Sequence, residues 1–377
     1  MNSKIIVTQY AQASCLNDLS EPKSGLAKHP IGKETAWGGK LTPKMEEKLQ
    51  RLLAQNPNYQ KLDRTVHLAL LCARAFNFNP EDQNLKIGVN IGSSRGATHK
   101  LESEFEAFLN HKNIDILTSP TTSLGNISSS VGQDLGLSGI QFSHSMTCST
   151  SLLSLANAVA WLRADMADKM LVGGAEAPLT PFTLAQSKAL RIYSRELETP
   201  CRAGDLNKLQ NTMVLGEGAG LLLLEKENAE NKDQKIVEIV GIGYASEPLT
   251  SATSISSEAQ HFQASMRQAI AHSSEPIDVV ITHTPGTRKG DLAEYEAVKA
   301  VFGEQMPLIT NNKWKIGHTF GAAGVLSLIY GIEMIKNQSF YDLPWGGDIS
   351  LGRPIKNILI NAAGFGGNAV SVLIKGL

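Results

Sequence analysis

The chain has 377 residues, 42% of them apolar, 19% charged and 6% aromatic, which is enough core for two or three domains or one large fused unit and too apolar for a disordered chain. Its 35 Lys+Arg and 36 Asp+Glu leave a formal net charge of -1, so no long-range field draws in nucleic acid. Four scattered cysteines, Cys15, Cys72, Cys148 and Cys201, show neither C-x-x-C spacing nor a His pair at zinc spacing, which excludes a disulfide scaffold and points to reduced thiols in a cytoplasmic protein.

In chain order, the patterns predict a strand over 4–8, an irregular loop over 32–40, and helices over 43–55 and 61–75. A strand over 86–91 and a helix over 100–110 follow, then a helix over 149–164 and a strand over 169–172. Next come strands over 220–224 and 236–241, a helix over 257–271, and a strand over 278–282. Helices over 291–301 and 321–336, an irregular loop over 339–354 and a strand over 357–361 complete the chain. Several strands are almost wholly apolar, as strands buried on both faces are, and the alternation with helices predicts an α/β fold. The most apolar stretches, 152–162 and 214–224, are too short to span a bilayer, and the N-terminus does not read as a targeting segment.

The helices over 149–164 and 321–336 are apolar or small on every side, so both are expected to be buried. Each follows a short polar tip, and each leads to a strand ending in a Gly/Ala-rich loop. This repetition suggests an internal duplication. The polar, highly charged segment 226–235 marks the boundary between halves 1–225 and 226–377.

Three residues stand where chemistry could occur. Cys148 sits where a buried helix should begin, so free backbone N–H groups and the helix dipole would favour a thiolate. His283 follows a strand and His318 lies at a helix start, and such positions can converge at the carboxyl edge of an open α/β sheet. The remaining histidines, among them His29, His67, His111 and His272, lack a companion motif. Gly216-Glu-Gly-Ala-Gly220 is misplaced for a phosphate loop, and no Walker-type Gly-Lys-Ser/Thr occurs. Gly364-Phe-Gly-Gly367 follows a strand, so it is either an oxyanion-binding loop or a tight turn.

Taken together, these residues resemble the β-ketoacyl-acyl carrier protein synthase family. The similarity runs through Cys148-Ser-Thr-Ser-Leu152, the stretch from Asp168 to Glu176, Val214-Leu-Gly-Glu-Gly-Ala-Gly220, and His283 with Gly290-Asp-Leu-Ala-Glu294. It continues through Lys313, Gly317-His318, Ala322-Ala-Gly324 and Gly364-Phe-Gly-Gly367. The Cys-His-His set resembles the elongating, decarboxylating members. Two departures stand out. Pro285 replaces a threonine that binds the phosphopantetheine arm in the family, leaving Thr287, and Thr147 occupies a position where alanine is common.

The resemblance implies a thiolase fold, two duplicated halves layered αβαβα, with the nucleophile in the first half and both histidines in the second. It implies Cys148 as nucleophile, His283 and His318 as hydrogen-bond donors in decarboxylation, and Lys313 as a bias on His318. Phe365 would supply an oxyanion N–H and gate the pocket, with Asp291 and Glu294 as supports behind the reacting groups. No metal or resident cofactor is implied, because the phosphopantetheine arm arrives on acyl carrier protein. Lys61 and Arg64 would dock that acidic carrier. The partner would be a second copy or a related ketosynthase-like subunit, in fatty acid or polyketide (including polyene) synthesis. The alternatives are a non-catalytic chain-length-factor-like subunit and a thiolase-like acyltransferase.

Overall fold

A computed structural model describes residues 3–78, 82, 84–248, 256, 258–271, 273–347 and 352–377. Ser257, His272 and positions 348–351 of the expected loop lie outside the described residues. The first half contains β1 (Ile5–Ala13), β2 (Ala27–Ile31), β3 (Glu34–Gly39), α1 (Pro43–Gln55), α2 (Arg64–Ala73), β4 (Ile87–Gly92) and α3 (Thr98–Leu109). It continues with α4 (Thr118–Thr122), α5 (Asn126–Leu135), β5 (Gln141–Phe142), α6 (Thr150–Arg163), β6 (Lys169–Glu176), α7 (Pro181–Ala189), β7 (Leu215–Gly216) and β8 (Gly218–Lys226). The second half contains β9 (Val237–Ser246), α8 (Gln260–Ile270), β10 (Val279–Ile281), α9 (Arg288–Phe302) and β11 (Leu308–Thr310). It ends with α10 (Lys313–Ile316), α11 (Ala323–Asn337), β12 (Asn357–Gly364) and β13 (Asn368–Lys375).

The main sheet runs β11-β10-β12-β13-β9-β1-β8-β6-β4-β5. Its two five-stranded halves repeat one plan. In the first, β4 pairs parallel with β5 and β6, then β6–β8 and β8–β1 are antiparallel. In the second, β10 pairs parallel with β11 and β12, then β12–β13 and β13–β9 are antiparallel. The halves join through three residue pairs, Ile5–Ile239, Ile6–Glu238 and Val7–Val237.

Strand side chains alternate between two apolar surroundings, which explains their unbroken apolar runs. Val89, Ile91 and Leu171 face a cluster with α1, α2 and α5, whereas Met170 and Val172 join α6 and α11. In the second half Val280 and Leu359 face α8 and α9, while Val279, Ile281, Ile358 and Ile360 face the α6–α11 layer. The layers are therefore helix, sheet, helix, sheet, helix, which is the α/β architecture of the thiolase fold. Both central helices are buried as expected, and no helix among the described residues is long and apolar enough to cross a membrane.

The structure corrects several local expectations. Residues 34–39 form β3, which pairs with β2 and then with β7. The turn between β2 and β3 uses Gly32 at φ +61°, so the polar, glycine-containing stretch is a hairpin rather than a loop. The Gly216–Gly220 region is mostly inside β8. Helix α2 starts at Arg64, capped by the Asp63 carboxylate, which accepts from the Thr65 N–H at 2.7 Å. Lys61 belongs to a separate single turn, so the two cations do not share a helix face.

Arg64 is also committed elsewhere. Its guanidinium donates to Glu217 at 2.7 Å from both Nε and Nη2, and to Glu46 at 2.7 Å. Glu217 is 2% exposed and also accepts from the Leu41 N–H at 2.9 Å. Removing one partner of a buried ion pair leaves the other charge uncompensated, which costs about 3 kcal/mol or more. Arg64→Ala is therefore expected to lower unfolding free energy by about 3 kcal/mol, while exposed Lys61→Ala changes it by less than about 0.5 kcal/mol. Urea titration of both variants checks this.

Candidate active site

Cys148 lies just ahead of α6 and is 8% exposed. The preceding Thr147 has φ +51°, a left-handed conformation that costs a β-branched residue about 1–3 kcal/mol. Short bonds hold the tip in place. The Met146 N–H donates to Thr150 Oγ1 at 2.8 Å, and Thr150 Oγ1 donates to the Thr147 carbonyl at 2.6 Å. Ser149 Oγ is hydrogen-bonded to Asn368 Oδ1 across the two halves. The tip therefore presents the Cys148 sulfur at the head of a buried helix.

The C-terminal glycine loop packs directly on this tip. A Cβ on Gly364 would fall 1.7 Å from Thr147 Oγ1 and 3.0 Å from the Cys148 nitrogen, so the approach requires glycine. Thr147 Oγ1 reaches the Phe365 carbonyl at 3.4 Å, and Asn368 Nδ2 donates to the same carbonyl at 3.1 Å. Gly366 and Gly367 turn the chain at φ +97° and +72°, leaving the Phe365 ring half exposed at the surface.

His283 and His318 meet edge to face with ring centroids 5.2 Å apart, and both are buried. His283 is held through its main chain. Glu294 accepts from the N–H groups of His283 and Thr284, each at 2.8 Å, and from Asn361 Nδ2 at 3.1 Å. The His318 N–H donates to the Val214 carbonyl at 2.7 Å, and the Gly216 N–H donates to the His318 carbonyl at 3.1 Å. Phe320 packs on the His318 ring at 5.3 Å. The Nδ1 atoms of both histidines are buried without a partner. Such groups are costly unless a ligand completes them.

Lys313 opens α10 and is fully buried, with Nζ 3.4 Å from the Thr282 carbonyl and 3.5 Å from Ser327 Oγ. Burial lowers its pKa, and Glu294 opposes the shift. Burial likewise raises Glu294, which Lys313 opposes. The Lys313 charge acts on Cys148, His283 and His318 alike. Asp291 lies behind them in a buried ion pair with Lys208 at 2.6 Å, accepting also from the Gly204 and Gly286 N–H groups. Thr287 stands at the N-cap position of α9 without a side-chain capping bond and is half-buried.

The electrostatics correct one expectation. Burial pushes the Cys148 thiol up to about 12, with Glu176 adding to the shift and Lys313 opposing it. At rest the residue is a neutral thiol, because desolvation of a thiolate outweighs its position at the helix start. Both histidines are pushed far the other way. Burial and the Lys313 charge bring His318 to about 3, and burial, His318 and Lys313 hold His283 well below its ordinary value. Both are neutral imidazoles at neutral pH, each carrying one N–H donor.

Sequence reasoning missed two partners of this site. Glu176, at the end of β6, is fully buried and raised to about 7 by that burial. It accepts from Ser93 Oγ at 2.9 Å and from the N–H groups of Ser94, Arg95 and Gly321 at 2.7, 3.2 and 2.9 Å. It thus ties the end of β4 and the approach to α11 together beside Cys148. The only available signal was a charged residue ending an apolar strand. Lys208 was missed because its partner Asp291 lies 83 positions away.

The depressed histidines give stability a definite pH slope. Between pH 6.5 and about 3 the unfolded chain binds a proton that folded His318 refuses, so stability falls as pH falls, by up to about 1.4 kcal/mol per unit well below 6.5. His318→Gln is expected to flatten that slope between pH 6.5 and 5 relative to the unsubstituted protein. Urea midpoints measured across the interval check it; parallel slopes would contradict the assigned burial of a neutral imidazole.

The comparisons agree with one another. The family model for the beta-ketoacyl synthase N-terminal domain matches residues 13–230, and that for the C-terminal domain matches 236–342. The 3-oxoacyl-[acyl-carrier-protein] synthase 2 of Vibrio cholerae is 30% identical over 319 residues, covering 78% of this chain and 77% of that one. Among solved structures, the complex of a type II PKS acyl-carrier protein with its ketosynthase gives a TM-score of 0.84 at 21% identity over the whole of both chains. A ketosynthase in complex with its chain length factor from Xenorhabdus doucetiae gives 0.79 at 19% identity, covering 100% of this chain and 98% of that one. The structural likenesses establish the fold, and the two domain models together with the Vibrio relative establish the lineage: the chain belongs to the beta-ketoacyl synthase family.

Proposed function

We propose that the chain catalyses a decarboxylating Claisen condensation, joining a Cys148-bound acyl group to a malonyl thioester on acyl carrier protein and releasing a 3-oxoacyl-carrier product. The observation that carries this reading is one buried thiol at a helix head and two neutral, buried histidines with unpartnered ring nitrogens, all three within reach of the Lys313 charge. The first half, 1–225, brings the nucleophile and the second, 226–377, brings both histidines. Fatty acid or polyketide synthesis in the cytoplasm is the setting this chemistry suits.

In the first stage Cys148 Sγ attacks the acyl thioester carbonyl. The tetrahedral oxyanion is stabilised by backbone N–H groups of Cys148 and Phe365. It collapses by expelling the arm's sulfur, which leaves with the proton that Cys148 gave up. A high thiol pKa suits this order, since the proton moves only as substrate displaces water. In the second stage the malonyl carboxylate leaves as CO₂ and its electron pair forms an enolate at the thioester oxygen. His283 and His318 donate N–H bonds to that oxygen, each typically worth about 3 kcal/mol in the transition state. The carbanion attacks the Cys148 thioester and the thiolate departs. Burial, with the Lys313 charge adding to it, keeps both rings neutral, and Glu294 fixes the backbone that carries His283. The phosphopantetheine arm is substrate, with Thr287 at its entrance. Assembly is with a second copy or a ketosynthase-like subunit.

A non-catalytic role beside an active subunit is disfavoured by the retained Cys148, His283 and His318. Intact-mass analysis after incubation with acyl-carrier protein should show one acyl adduct that is absent from Cys148→Ala; persistence of the adduct would reject the nucleophile.

The histidines are tested separately. His283→Ala and His318→Ala are each expected to slow CO₂ release from malonyl-carrier about 100-fold or more, while acylation of Cys148 suffers less. Unchanged CO₂ release in both variants would remove them from the reaction.

A further inference from the structure

The turn from Gly364 to Gly367 decides where the Phe365 N–H points. Its own chain gives it little stiffness, since Gly366 and Gly367 follow one another at φ +97° and +72°. It is held from outside. The Glu247 N–H donates to the Gly367 carbonyl at 2.9 Å and Asn368 Nδ2 to the Phe365 carbonyl at 3.1 Å, both from the second half. Thr147 meets the same turn from the first half, on the tip that carries Cys148.

Thr147 touches the chain on both sides of the Phe365 N–H. Before it, Gly364 lies so close that a Cβ there would fall 1.7 Å from Thr147 Oγ1. After it, the Phe365 carbonyl accepts from Thr147 Oγ1 at 3.4 Å. The hydroxyl has one proton for two acceptors, since the Met146 carbonyl also stands 2.7 Å away. A rotor shared in this way steadies the turn without locking it.

Threonine is a costly choice at this position. Its φ of +51° strains a β-branched side chain, and alanine would be strained less. Thr147 is also only half-buried, so packing in the core does not account for it. Strain held at a residue whose hydroxyl faces a turn beside the nucleophile points to a use in the reaction.

We propose that Thr147 is a positioning residue: its hydroxyl seats the Gly364–Phe365 peptide against the Cys148 tip and so aligns the Phe365 N–H with the oxyanion formed during acylation. The proposal rests on the two-stage reading above, in which His283 and His318 meet the enolate of decarboxylation instead. It assigns the Thr147 hydroxyl to the first stage.

The test compares Thr147→Ala, Thr147→Ser and Thr147→Val in the full-length protein. Acylation of Cys148 by a short-chain acyl thioester of N-acetylcysteamine is followed by intact mass, alongside CO₂ release from malonyl-carrier and thermal unfolding. Thr147→Ala is expected to slow the maximal acylation rate about ten-fold, with the half-saturating thioester concentration changed by less than about two-fold. Its CO₂ release should fall less than its acylation, by a ratio of about five or more. Its melting temperature should not fall, because strain is relieved. Thr147→Ser keeps the hydroxyl and should restore acylation to within about three-fold of the unsubstituted protein, whereas Thr147→Val keeps the branch alone and should stay as slow as Thr147→Ala. Absence of acylation in the unsubstituted protein would reject the condensation reading itself. With that acylation present, an unsubstituted rate in Thr147→Ala or Thr147→Val, or equal losses of acylation and CO₂ release with a lowered melting temperature, would overturn the role of the hydroxyl.

Discussion

The site depends on one packing constraint: α6 and α11 lie against each other in the middle layer with almost no space between them. Ser151 Oγ accepts the Val325 N–H at 3.0 Å, and a Cβ on Gly324 would fall 2.6 Å from the Leu152 side chain. On the other side, a Cβ on Gly174 would come within 2.8 Å of the Gly321 carbonyl. Small residues at these crossings let backbones approach until the two helix heads are neighbours. Cys148 stands just ahead of α6 and His318 on the segment that leads into α11, so the chemistry follows from close packing between elements far apart in sequence.

Burial then sets the protonation states. The layer that brings the groups together also removes water from them, which raises the thiol and both acids while lowering the histidines and the lysine. Every one of these shifts favours the neutral form. At rest the thiol and both imidazoles are neutral, with the Lys313 charge near them. Such a site is suited to a reaction in which charge appears transiently on a thioester oxygen and is met there by pre-set donors.

The sequence disclosed the parts of this arrangement that have local signatures. Helix α1 was legible to the residue, because Thr42 caps it and Pro43 opens it. The central helices were legible because they are apolar all round, and Cys148, His283 and His318 because each sits in an ordered motif. Other elements lacked such marks. The serine-rich α5 has poor intrinsic helix propensity and is stabilised by packing of Ile127 and Val131 on the sheet. The β2–β3 hairpin carries polar and glycine residues in place of clean alternation. Strand β13 is an apolar run directly after a glycine turn, and that turn drew the attention instead. Glu176 and the Lys208–Asp291 pair are defined by distant partners, which a linear reading does not reveal. Arg64 shows the reverse problem: a cation that reads as surface because its carboxylate partner lies 153 positions on.

The shared middle layer has a consequence for how the chain behaves as a folding unit. Helix α11 belongs to the second half but rests on β1, β6 and β8 of the first, while α6 reaches across to β13. Each of these helices also packs on strands of its own half, and the direct strand seam between the halves is only three residue pairs long. The two repeats therefore share one core cluster in the middle layer. Severed in the charged connector between β8 and β9, they would behave as complementary fragments, each collapsing incompletely in isolation and regaining order only on meeting the other. The two halves are coupled through the α6–α11 layer that both sheets share as well as through the strands that join them.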